Sequence, residues 1–436
     1  MSTRVLSGAI SAGALIAGLS FQPAVAGGFH VQEQSARAVG RAFSGEAADS
    51  GPASLWWNPA AIGFGTGRGE AYLGVHRVIV DADVEDTGST IRRPVPGLPP
   101  MPVGGASLQK NPIDKGLIPN LGAAWRLNDR WAVGLTVNAP FNFTTRYGLD
   151  SFTRYQALKS RLFNIDIQPT LAWTPTPQLA LGLGVDITYA DATLSNALPN
   201  PSPLAPDGAS NLTGNGWDYG WTAGLQWKPV EPVTLGLSYR SGVKHRLDGR
   251  VTVAGLLGPA AAANLDAPGE ATFETPSILT ASGRWRATDR LTLNAQVQRF
   301  DWSAFDAIRV TFAGRTQVSP QDYEDTTSIA VGADYALSPQ WTLRAGVQRD
   351  PTPTPDIGRT TRVPDGDRWL YAAGFSFNPS ERMAVDVGAA YIHFADSEVD
   401  SDASAFAGTP LATPIAMHGL VKGHGLVLSA GVRMGF

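Results

Sequence analysis

The sequence predicts an all-β protein: a 14-stranded antiparallel transmembrane β-barrel with an N-terminal plug in its lumen. Three observations support this prediction. Most of the chain alternates large apolar residues with small polar ones, which is the period of a strand. Six short turns alternate with long connections. Trp residues cluster beside the short turns, as expected where amphipathic rings meet a membrane interface.

The composition agrees with a membrane β-protein and excludes several other classes. The chain has 436 residues with 48 Gly and no Cys, and charged residues make up 17%, against roughly 25% in soluble domains. The lack of Cys excludes disulfides, thiolate-bound metals and thiol nucleophiles. A net charge of −4 provides no basic surface, so we expect no nucleic-acid partner. A mean hydropathy of −0.07 is too polar for a bundle of membrane helices.

The first segment, Met1–Ala26, has the features of a secretory signal peptide. Arg4 precedes a short apolar stretch, and Ala24-Val25-Ala26 forms an A-x-A cleavage site. A buried N-terminal helix is the alternative. No later window has the roughly 18 consecutive apolar residues of a spanning helix. We therefore expect an exported protein that crosses a membrane only with strands.

The strands are predicted from alternation. In Leu179–Tyr189 every second residue is large and apolar, and the others are Ala, Gly, Asp or Thr. A soluble sandwich also alternates, but its polar face is rich in charged residues; here the polar face is small, as expected when the apolar face contacts lipid. Similar runs are Trp131–Val137, Val233–Arg240, Leu291–Phe300, Ile329–Leu337, Trp341–Gln348, Trp369–Phe377 and Leu426–Phe436.

The turns give the strand count. Six breaker-rich links are short enough for hairpins, and long connections such as Asn142–Ser160 lie between them. Six short turns and seven long loops imply fourteen strands with both termini on the short-turn side, an outer-membrane pattern. The short links are Leu127–Arg130, Thr174–Gln178, Lys228–Pro232, Ala287–Arg290, Leu337–Gln340 and Phe377–Arg382.

Aromatic residues predict the two membrane boundaries. One girdle lies beside the short turns and consists of Trp125, Trp131, Trp173, Trp227, Trp285 and Trp341. The opposite girdle is predicted to contain Tyr189, Tyr239, Trp302, Trp369, Tyr371 and Tyr391.

The two ends of the mature chain differ from each other. Gly27–Gly65 does not alternate and precedes the barrel of residues 66–436. It is predicted either to extend into the periplasm or to fold back as a plug; a fourteen-stranded barrel has space that side chains alone do not fill, which favours a plug. The last strand ends in Phe436, which resembles the C-terminal signal read by the barrel-insertion machinery.

The sequence contains no catalytic or cofactor motif. The six His residues form no pair with Ser, Asp or a metal-ligand spacing, and no Gly-rich phosphate loop occurs. We therefore expect a protein that is not an enzyme, with no cofactor and no metal. A general diffusion porin and a purely structural or adhesive barrel remain alternatives.

Six short motifs carry a resemblance to a known family. Gly28-Phe29 lies at the start of the mature chain, and Gly40–Glu46 and Asn58-Pro59-Ala60 follow. Asn138-Ala139-Pro140-Phe141 closes the third strand ahead of Arg154-Tyr155 and Lys159–Leu162. The chain resembles outer-membrane hydrophobic-compound transporters of the long-chain fatty acid type (FadL/TodX-like). The resemblance spans essentially the whole mature chain, and the N-terminal motifs are its most specific part.

The resemblance implies a lumenal hatch and a lateral exit through a kinked third strand, Trp131–Phe141. Pro140 donates no ladder hydrogen bond, so pairing breaks or bulges there; alternatively it only ends the strand. Asn58, Pro59 and Ala60 are then the hatch element facing the kink, although Asn-Pro alone is only a turn. By the same resemblance the substrate-binding residues include Phe29, Asn138, Pro140 and Phe141.

A carboxylate-bearing ligand would favour lumenal cations. Alternation places Arg240, Lys244 and Arg344 inward, and Arg161 opens the fourth strand. Pairing of these cations with lumenal carboxylates, namely Asp166, Asp186, Asp334 or Asp386, is an equally good interpretation.

The loop Asn142–Ser160 contains a predicted amphipathic helix, Leu149–Leu158, with Phe152 and Tyr155. The resemblance implies that it forms a first binding groove. Alternatively, its apolar residues pack the loop onto the rim of the barrel.

The predicted function is uptake of hydrophobic small molecules across the outer membrane of a Gram-negative cell. Long-chain fatty acids are the leading ligand class; monoaromatic hydrocarbons, or porin-like diffusion, are the alternatives. The expected partners are this ligand, outer-membrane lipid and the insertion machinery, and we expect a monomer.

Overall fold

The computed structural model describes residues 27–65 and 67–436, so the predicted signal peptide and Thr66 lie outside the described residues. Within them, fourteen long strands form a ring in which each is antiparallel to its neighbours, and β1 pairs with both β2 and β14. The predicted fourteen-stranded barrel is confirmed. Its strands are β1 Gly69–Asp86, β2 Gly116–Arg126, β3 Trp131–Asn138, β4 Lys159–Thr176, β5 Leu179–Leu198, β6 Gly208–Val230, β7 Val233–Arg240, β8 Ile278–Arg286, β9 Leu291–Phe300, β10 Thr326–Ala336, β11 Trp341–Asp350, β12 Arg368–Ser380, β13 Met383–Phe394 and β14 Thr413–Gly435.

The six predicted short turns are confirmed as the links that follow β2, β4, β6, β8, β10 and β12. At the same end of the barrel the C-terminus pairs with the first strand. The Phe436 amide donates to the Gly69 carbonyl at 3.0 Å, and the Gly69 amide donates to the Phe436 carbonyl at 3.1 Å. The terminal residue therefore completes the ladder that closes the barrel, and no strand edge is left there.

The outer face carries the large apolar residues. Leu183 is 64% exposed, whereas its neighbour Gly182 faces inward and is buried. All six Trp residues predicted beside the short turns are exposed on this face. At the other girdle Tyr239, Trp369, Tyr371 and Tyr391 are also exposed, but the placement of Trp302 was wrong. Trp302 lies in a one-turn 3₁₀ helix, Trp302–Ala304, and is buried inside the barrel.

The long connections are more regular than the sequence predicted. Strands β1, β5 and β6 continue into segments that were expected to be loops, and nine further strands pair with them or with one another. These segments lack the large apolar alternation because they lie beyond the predicted lipid zone, yet backbone pairing continues. The further strands are Thr90–Ile91, Met101–Pro102, Leu108–Lys110, Phe143–Arg146, Val243–Ala254, Leu265–Thr275, Ala307–Phe312, Arg315–Pro320 and Ser397–Ala405.

The seam between β2 and β3 is interrupted. The two strands pair from Arg126↔Ala132 to Leu121↔Val137, where β3 turns away although β2 continues back to Gly116. Contact between the two chain segments resumes only at the isolated bridge Ile113↔Thr145. Within this gap Pro119 lacks an N–H group, so β2 has one backbone donor fewer to satisfy.

Asn142 bridges the same interruption on its other side, toward β4. Phe143 comes five positions after Asn138, but their partners Leu162 and Asp166 are only four positions apart, so the β3 side has one extra residue, which is the signature of a bulge. The Asn142 side-chain amide donates to the carbonyls of Ala139 (3.0 Å) and Asn164 (3.1 Å). Its oxygen accepts from the Asn164 amide at 3.0 Å. A side chain thus replaces the missing ladder bonds.

Residues 27–63 lie inside the barrel, and Ser50 is the one exposed residue among them. Their helices are single turns: Ala36–Val39, Glu46–Ala48, Pro52–Ser54 and Pro59–Ile62. The segment packs directly on the inner wall, since a Cβ added at Gly236 would lie 2.0 Å from the Ala47 carbonyl oxygen and one at Gly182 would lie 2.3 Å from the Ala60 nitrogen. Inward glycines therefore make room for this backbone.

An ion-pair network fixes the segment to the wall. Arg41 is fully buried and pairs with Glu46 (2.5 Å) and Asp49 (2.5 Å) of its own segment and with Asp334 of β10 (3.1 Å). Asp334 is also paired with Arg284 at 2.8 Å. Because most of these charges have partners on both the segment and the wall, the desolvation cost of burying them is offset only while the segment remains in place.

Arg41→Gln should lower the free energy of unfolding by about 3–5 kcal/mol, because three buried carboxylates lose a shared cation. The measurement is the urea midpoint in lipid vesicles. Arg250→Gln, which breaks the exposed pair with Asp266, is the matched control and should leave the midpoint unchanged. Equal midpoints for Arg41→Gln and the parent chain would contradict this account of the network.

Asn142→Ala should loosen the interruption, because the Asn164 backbone groups lose their side-chain partner. An unsatisfied buried group costs about 1–3 kcal/mol, so amide hydrogen exchange of Asn164 should accelerate by roughly tenfold or more. Asn378→Ala, near the end of β12, is the control and should not change exchange at Asn164. An unchanged rate in Asn142→Ala would show that the amide does not hold the bulge.

Candidate ligand-binding site in the lumen

An apolar cavity lies where the barrel strands continue into their extensions. Its walls come from β4, β5, β6, from the extension strands Val243–Ala254 and Leu265–Thr275, and from the connection between β11 and β12. The cavity volume is about 50 Å³. Its lining residues are Phe29, Phe143, Arg161, Leu162, Ala192, Leu194, Leu212, Gly214, Leu247, Ala271, Phe273, Phe305, Ile308, Gln321, Arg362 and Val363.

Phe29 of the N-terminal segment fills the centre of this region and is 1% exposed. Its ring packs edge-on against Trp302 and Phe305, with centroid distances of 4.9 and 5.0 Å. Phe143 and Phe141 lie at 5.9 and 6.0 Å. The N-terminal segment thus places one aromatic side chain in a cage of aromatic residues from the barrel.

The same segment completes the interrupted seam. The Val31 amide donates to the Pro140 carbonyl at 2.7 Å, and the Asn142 amide donates to the Phe29 carbonyl at 3.1 Å. Between them His30 forms an isolated bridge with Phe141. Burial and the nearby Arg368 and Arg240 lower the pKa of His30 to about 3, so it is neutral. Residues 29–31 therefore occupy the place that a strand would take beside β3.

Two guanidinium groups lie at the edge of the cavity, and their pairing differs. Arg161 forms an ion pair with Asp191. Arg362, in the connection between β11 and β12, lies 3.3 Å from the Ser160 hydroxyl and 3.5 Å from the Asn196 side-chain oxygen. None of the ion pairs among residues 27–65 and 67–436 includes Arg362, and burial lowers its pKa to about 10. It remains a cation at neutral pH without a carboxylate partner.

Two other predicted lumenal cations, Arg240 and Arg344, do not line this cavity and form ion pairs with aspartates. Arg240 pairs with Asp166 (3.0 Å) and Asp186 (2.7 Å), and Arg344 pairs with Asp334 (2.9 Å). Pairing with lumenal carboxylates, one of the two interpretations, therefore describes both.

The inward placement of Lys244 was wrong. Its side chain is 84% exposed and lies 3.8 Å from Glu274, on the face opposite buried His245. Alternation was counted through Arg240, but the chain changes strands at Ser241 and Gly242, which resets the facing.

The third strand is shorter than predicted. It ends at Asn138 rather than Phe141, so Pro140 both follows the strand and occupies the position where pairing breaks. Asn138 is buried, and its side-chain amide donates to the Thr136 hydroxyl at 3.0 Å. Phe141 contacts the Phe29 ring as described above. These three residues thus border the interruption.

The Asn58-Pro59-Ala60 turn does not face the kink, contrary to the prediction. The Asn58 side-chain amide donates to the Leu225 carbonyl of β6 at 2.9 Å and to the Ala47 carbonyl at 2.7 Å, and Pro59 packs on Gly182. In the strand register Gly182 is level with Ala132, six residues before Asn138. The kink is bordered by residues 29–31 instead, and Trp56 lines a small cavity beside Pro140 and Phe141.

Phe152 and Tyr155 belong to the interior of the extracellular loops. The predicted helix Leu149–Leu158 is wrong; only a 3₁₀ turn, Phe152–Tyr155, is formed. Phe152 is fully buried beside Val84, Met417 and Val421, and the Tyr155 hydroxyl donates to Asp207 at 2.9 Å. Packing of the loop onto the rim, the alternative interpretation, describes both residues.

Arg362, Trp302 and Phe305 were not predicted as residues of the ligand site. All three lie in connections outside the alternating runs, where no periodic signal assigns a facing. In the described part of the chain no helix is long and apolar enough to cross a membrane. No group of three or more His, Asp or Glu residues there could hold a metal ion.

The sequence matches a known protein family and several of its members. Residues 17–436 match the family described as outer membrane protein transport protein (OMPP1/FadL/TodX). The long-chain fatty acid transport protein of Escherichia coli O6:H1 is 26% identical over 401 residues, covering 84% of this chain and 86% of that protein. Outer membrane protein P1 of Haemophilus influenzae is 27% identical over 423 residues, covering 86% and 89%.

Solved structures share the fold. A FadL homologue of Pseudomonas aeruginosa superposes with a TM-score of 0.81 at 23% identity, covering 94% of this chain and 100% of that chain. The toluene transporter TodX of P. putida gives 0.64 at 18% identity, covering 92% and 98%. Together with the family match over nearly the whole sequence, the closed barrel and its occupied lumen, these findings show that the chain is an outer-membrane protein belonging to the OMPP1/FadL/TodX family of transport proteins.

Proposed function

We propose that this protein takes up long-chain fatty acids across the outer membrane. The ligand binds in the apolar cavity, displaces Phe29 and leaves sideways through the interrupted seam between β2 and β3. Relatives named as long-chain fatty acid transport proteins support this assignment. So does the cavity, which combines an apolar wall with a cation at its edge.

The observation that carries the proposal is Arg362, a half-buried guanidinium without a carboxylate partner beside Leu162, Leu194 and Val363. An unpaired cation in an apolar site is costly unless a ligand brings the opposite charge. The carboxylate of a fatty acid can pair with Arg362, and its hydrocarbon tail can pack against the apolar wall of the cavity. Each buried CH₂ group contributes about 0.8 kcal/mol.

Phe29 acts as the gate in this proposal. The free volume of about 50 Å³ is far below the roughly 300–1,000 Å³ of sites that hold small molecules. A ligand therefore enters only if Phe29 leaves. Because Phe29 and Val31 also satisfy Asn142 and Pro140, its departure frees the inner edge of the seam at the same time.

Monoaromatic hydrocarbons are the second candidate ligand. Five aromatic side chains surround Phe29, and toluene transporters share the fold. A wide diffusion pore is less consistent with the structure, since residues 27–63 fill the lumen and are fixed by buried ion pairs.

The maturation of the chain is also a proposal. We assign residues 1–26 to a cleaved signal peptide, 27–65 to the hatch and 66–436 to the barrel. The C-terminal strand ending in Phe436 is proposed as the signal for the insertion machinery, and the protein as a monomer.

Arg362→Met should weaken oleate binding by about ten- to a hundredfold, since a hydrogen bond to a charged group contributes about 1.5–3 kcal/mol. Toluene binding should be unchanged. The measurement is equilibrium binding of both compounds to the purified protein. Arg349→Met, which removes an exposed guanidinium paired with Asp367, is the control. Unchanged oleate affinity, or an equal loss for toluene, would argue against a carboxylate ligand.

Oleate binding should change the fluorescence of Trp302, because its ring lies 4.9 Å from the Phe29 ring that the ligand displaces. Titration of the parent chain should give a saturable signal. The signal should be lost in Trp302→Phe and reduced in Phe29→Ala, where no ring leaves. Trp369→Phe, on the outer face, should retain it. Saturation by oleate with no change at Trp302 would mean that Phe29 stays in place.

A further inference from the structure

A cluster of charges surrounds the first described residue. Gly27 is pressed against β11 and β12, since a Cβ built on it would lie 3.1 Å from Asp350 Oδ2 and 2.5 Å from Arg368 Nη2. The next backbone amide, that of Gly28, donates to Asp365 Oδ2 at 2.7 Å. Glu33, of the same segment, is buried nearby and interacts with Arg368 and Asp350.

The cluster has more negative than positive charge. Asp350, Asp365 and Glu33 are carboxylates, and Arg368 is their shared cation. Burial raises the pKa of Glu33 to about 7, which leaves the two aspartates to be balanced. His30 is neutral and supplies no charge. The carboxylates at Gly27 therefore outnumber the guanidinium group that pairs with them.

One side-chain oxygen of Asp365 accepts no hydrogen bond. Its side chain is fully buried, and Oδ2 accepts from Gly28 and from the Thr352 hydroxyl at 2.6 Å. Oδ1 accepts no hydrogen bond, and Arg368 Nη1 lies 3.6 Å from it. A buried carboxylate oxygen without a donor is costly. This oxygen belongs to the carboxylate that accepts from the Gly28 amide, one residue after Gly27.

We propose that Asp365 and Asp350 bind the α-ammonium group that cleavage after Ala26 creates on Gly27. The proposal depends on that predicted cleavage. Adjacent backbone nitrogens lie about 3 Å apart, so the Gly27 nitrogen is within about 6 Å of Asp365 Oδ2. The new cation balances the two aspartates that Arg368 alone does not, and Gly27 fits because a side chain would collide with Arg368.

The ammonium site links removal of the signal peptide to the stability of the closed gate. Phe29 lies two residues beyond Gly27, so the ion pair anchors the end of the segment that fills the cavity. A precursor with residues 1–26 attached has an uncharged amide at this position. It lacks the cation, and Phe29 is then held by its apolar contacts and by the hydrogen bonds of Gly28, Phe29 and Val31.

The test is the reactivity of the Gly27 amine. An α-amino group has an ordinary pKa of about 7.7–8.0. The ion pair raises that pKa and buries the nitrogen, so acetylation by an amine-selective ester at pH 7.5 should be at least about tenfold slower in the folded parent chain than in Asp365→Asn. Mass spectrometry of the N-terminal peptide measures both. Asp367→Asn, which removes an exposed carboxylate two residues away, should retain the protection.

A second variant keeps the proposal testable if Asp365→Asn folds poorly. Two residues, Gly-Ser, inserted after Ala26 leave the chain intact but move the ammonium group away; the new amine should react at the rate of the Asp365→Asn amine. Protection of the displaced amine, equal rates in Asp365→Asn and the parent chain, or a purified protein that does not begin at Gly27 would each overturn the proposal. Since no fatty acid is used, these outcomes do not depend on the proposed ligand.

Discussion

In hydrocarbon every backbone amide must find its partner within the protein, and the structure depends on this constraint. It requires the ring of fourteen strands to close, which Phe436 and Gly69 achieve at the short-turn end. It also determines how the ring can be interrupted. Where β3 leaves β2, the free backbone groups of Pro140 and Asn142 are satisfied by Val31 and Phe29, and the Asn142 side chain satisfies Asn164. An opening in the wall and an ordered N-terminal segment are therefore one feature.

The N-terminal segment divides into a fixed and a displaceable part, and the magnitudes of their contacts decide which is which. Around Arg41 several buried charges share partners, and removing one of them costs about 3–5 kcal/mol because its partners are left buried and uncompensated. Phe29 is held mainly by apolar burial, which contributes about 1.5–3 kcal/mol for such a side chain. A fatty acid gains about 0.8 kcal/mol for each CH₂ group that it buries, so several CH₂ groups together exceed the burial energy of Phe29. The ligand makes no contact that would replace the ion pairs around Arg41. Ligand binding can thus move the Phe29 side chain while residues 36–63 stay in the lumen.

What the sequence could predict was local. Alternation, turn residues and Trp positions repeat within a few residues, so the strand count and the short turns followed from them. The errors lie where facing depends on contacts distant in sequence. Lys244 and Trp302 follow breaks in the strands, after which alternation carries no information. Arg362 was missed because its role comes from the absence of a partner, a property that spacing does not encode. For Arg240 the residues left two interpretations open, and only the register brought Asp166 and Asp186 within reach.

The two guanidinium groups of the cavity show how its chemistry is set. Arg161 is neutralised by Asp191, so a hydrocarbon could pass it without leaving a charge unpaired. Arg362 has no such partner, and a site used only for hydrocarbons would bear the cost of its burial without a return. A ligand carboxylate at Arg362 removes that cost and fixes one end of the ligand. The hydrocarbon tail of the ligand must then lie along the apolar wall of the cavity, which continues to Phe29 and Phe143. Phe143 directly follows Asn142, so the ligand reaches the interrupted seam by the same displacement that lets it bind.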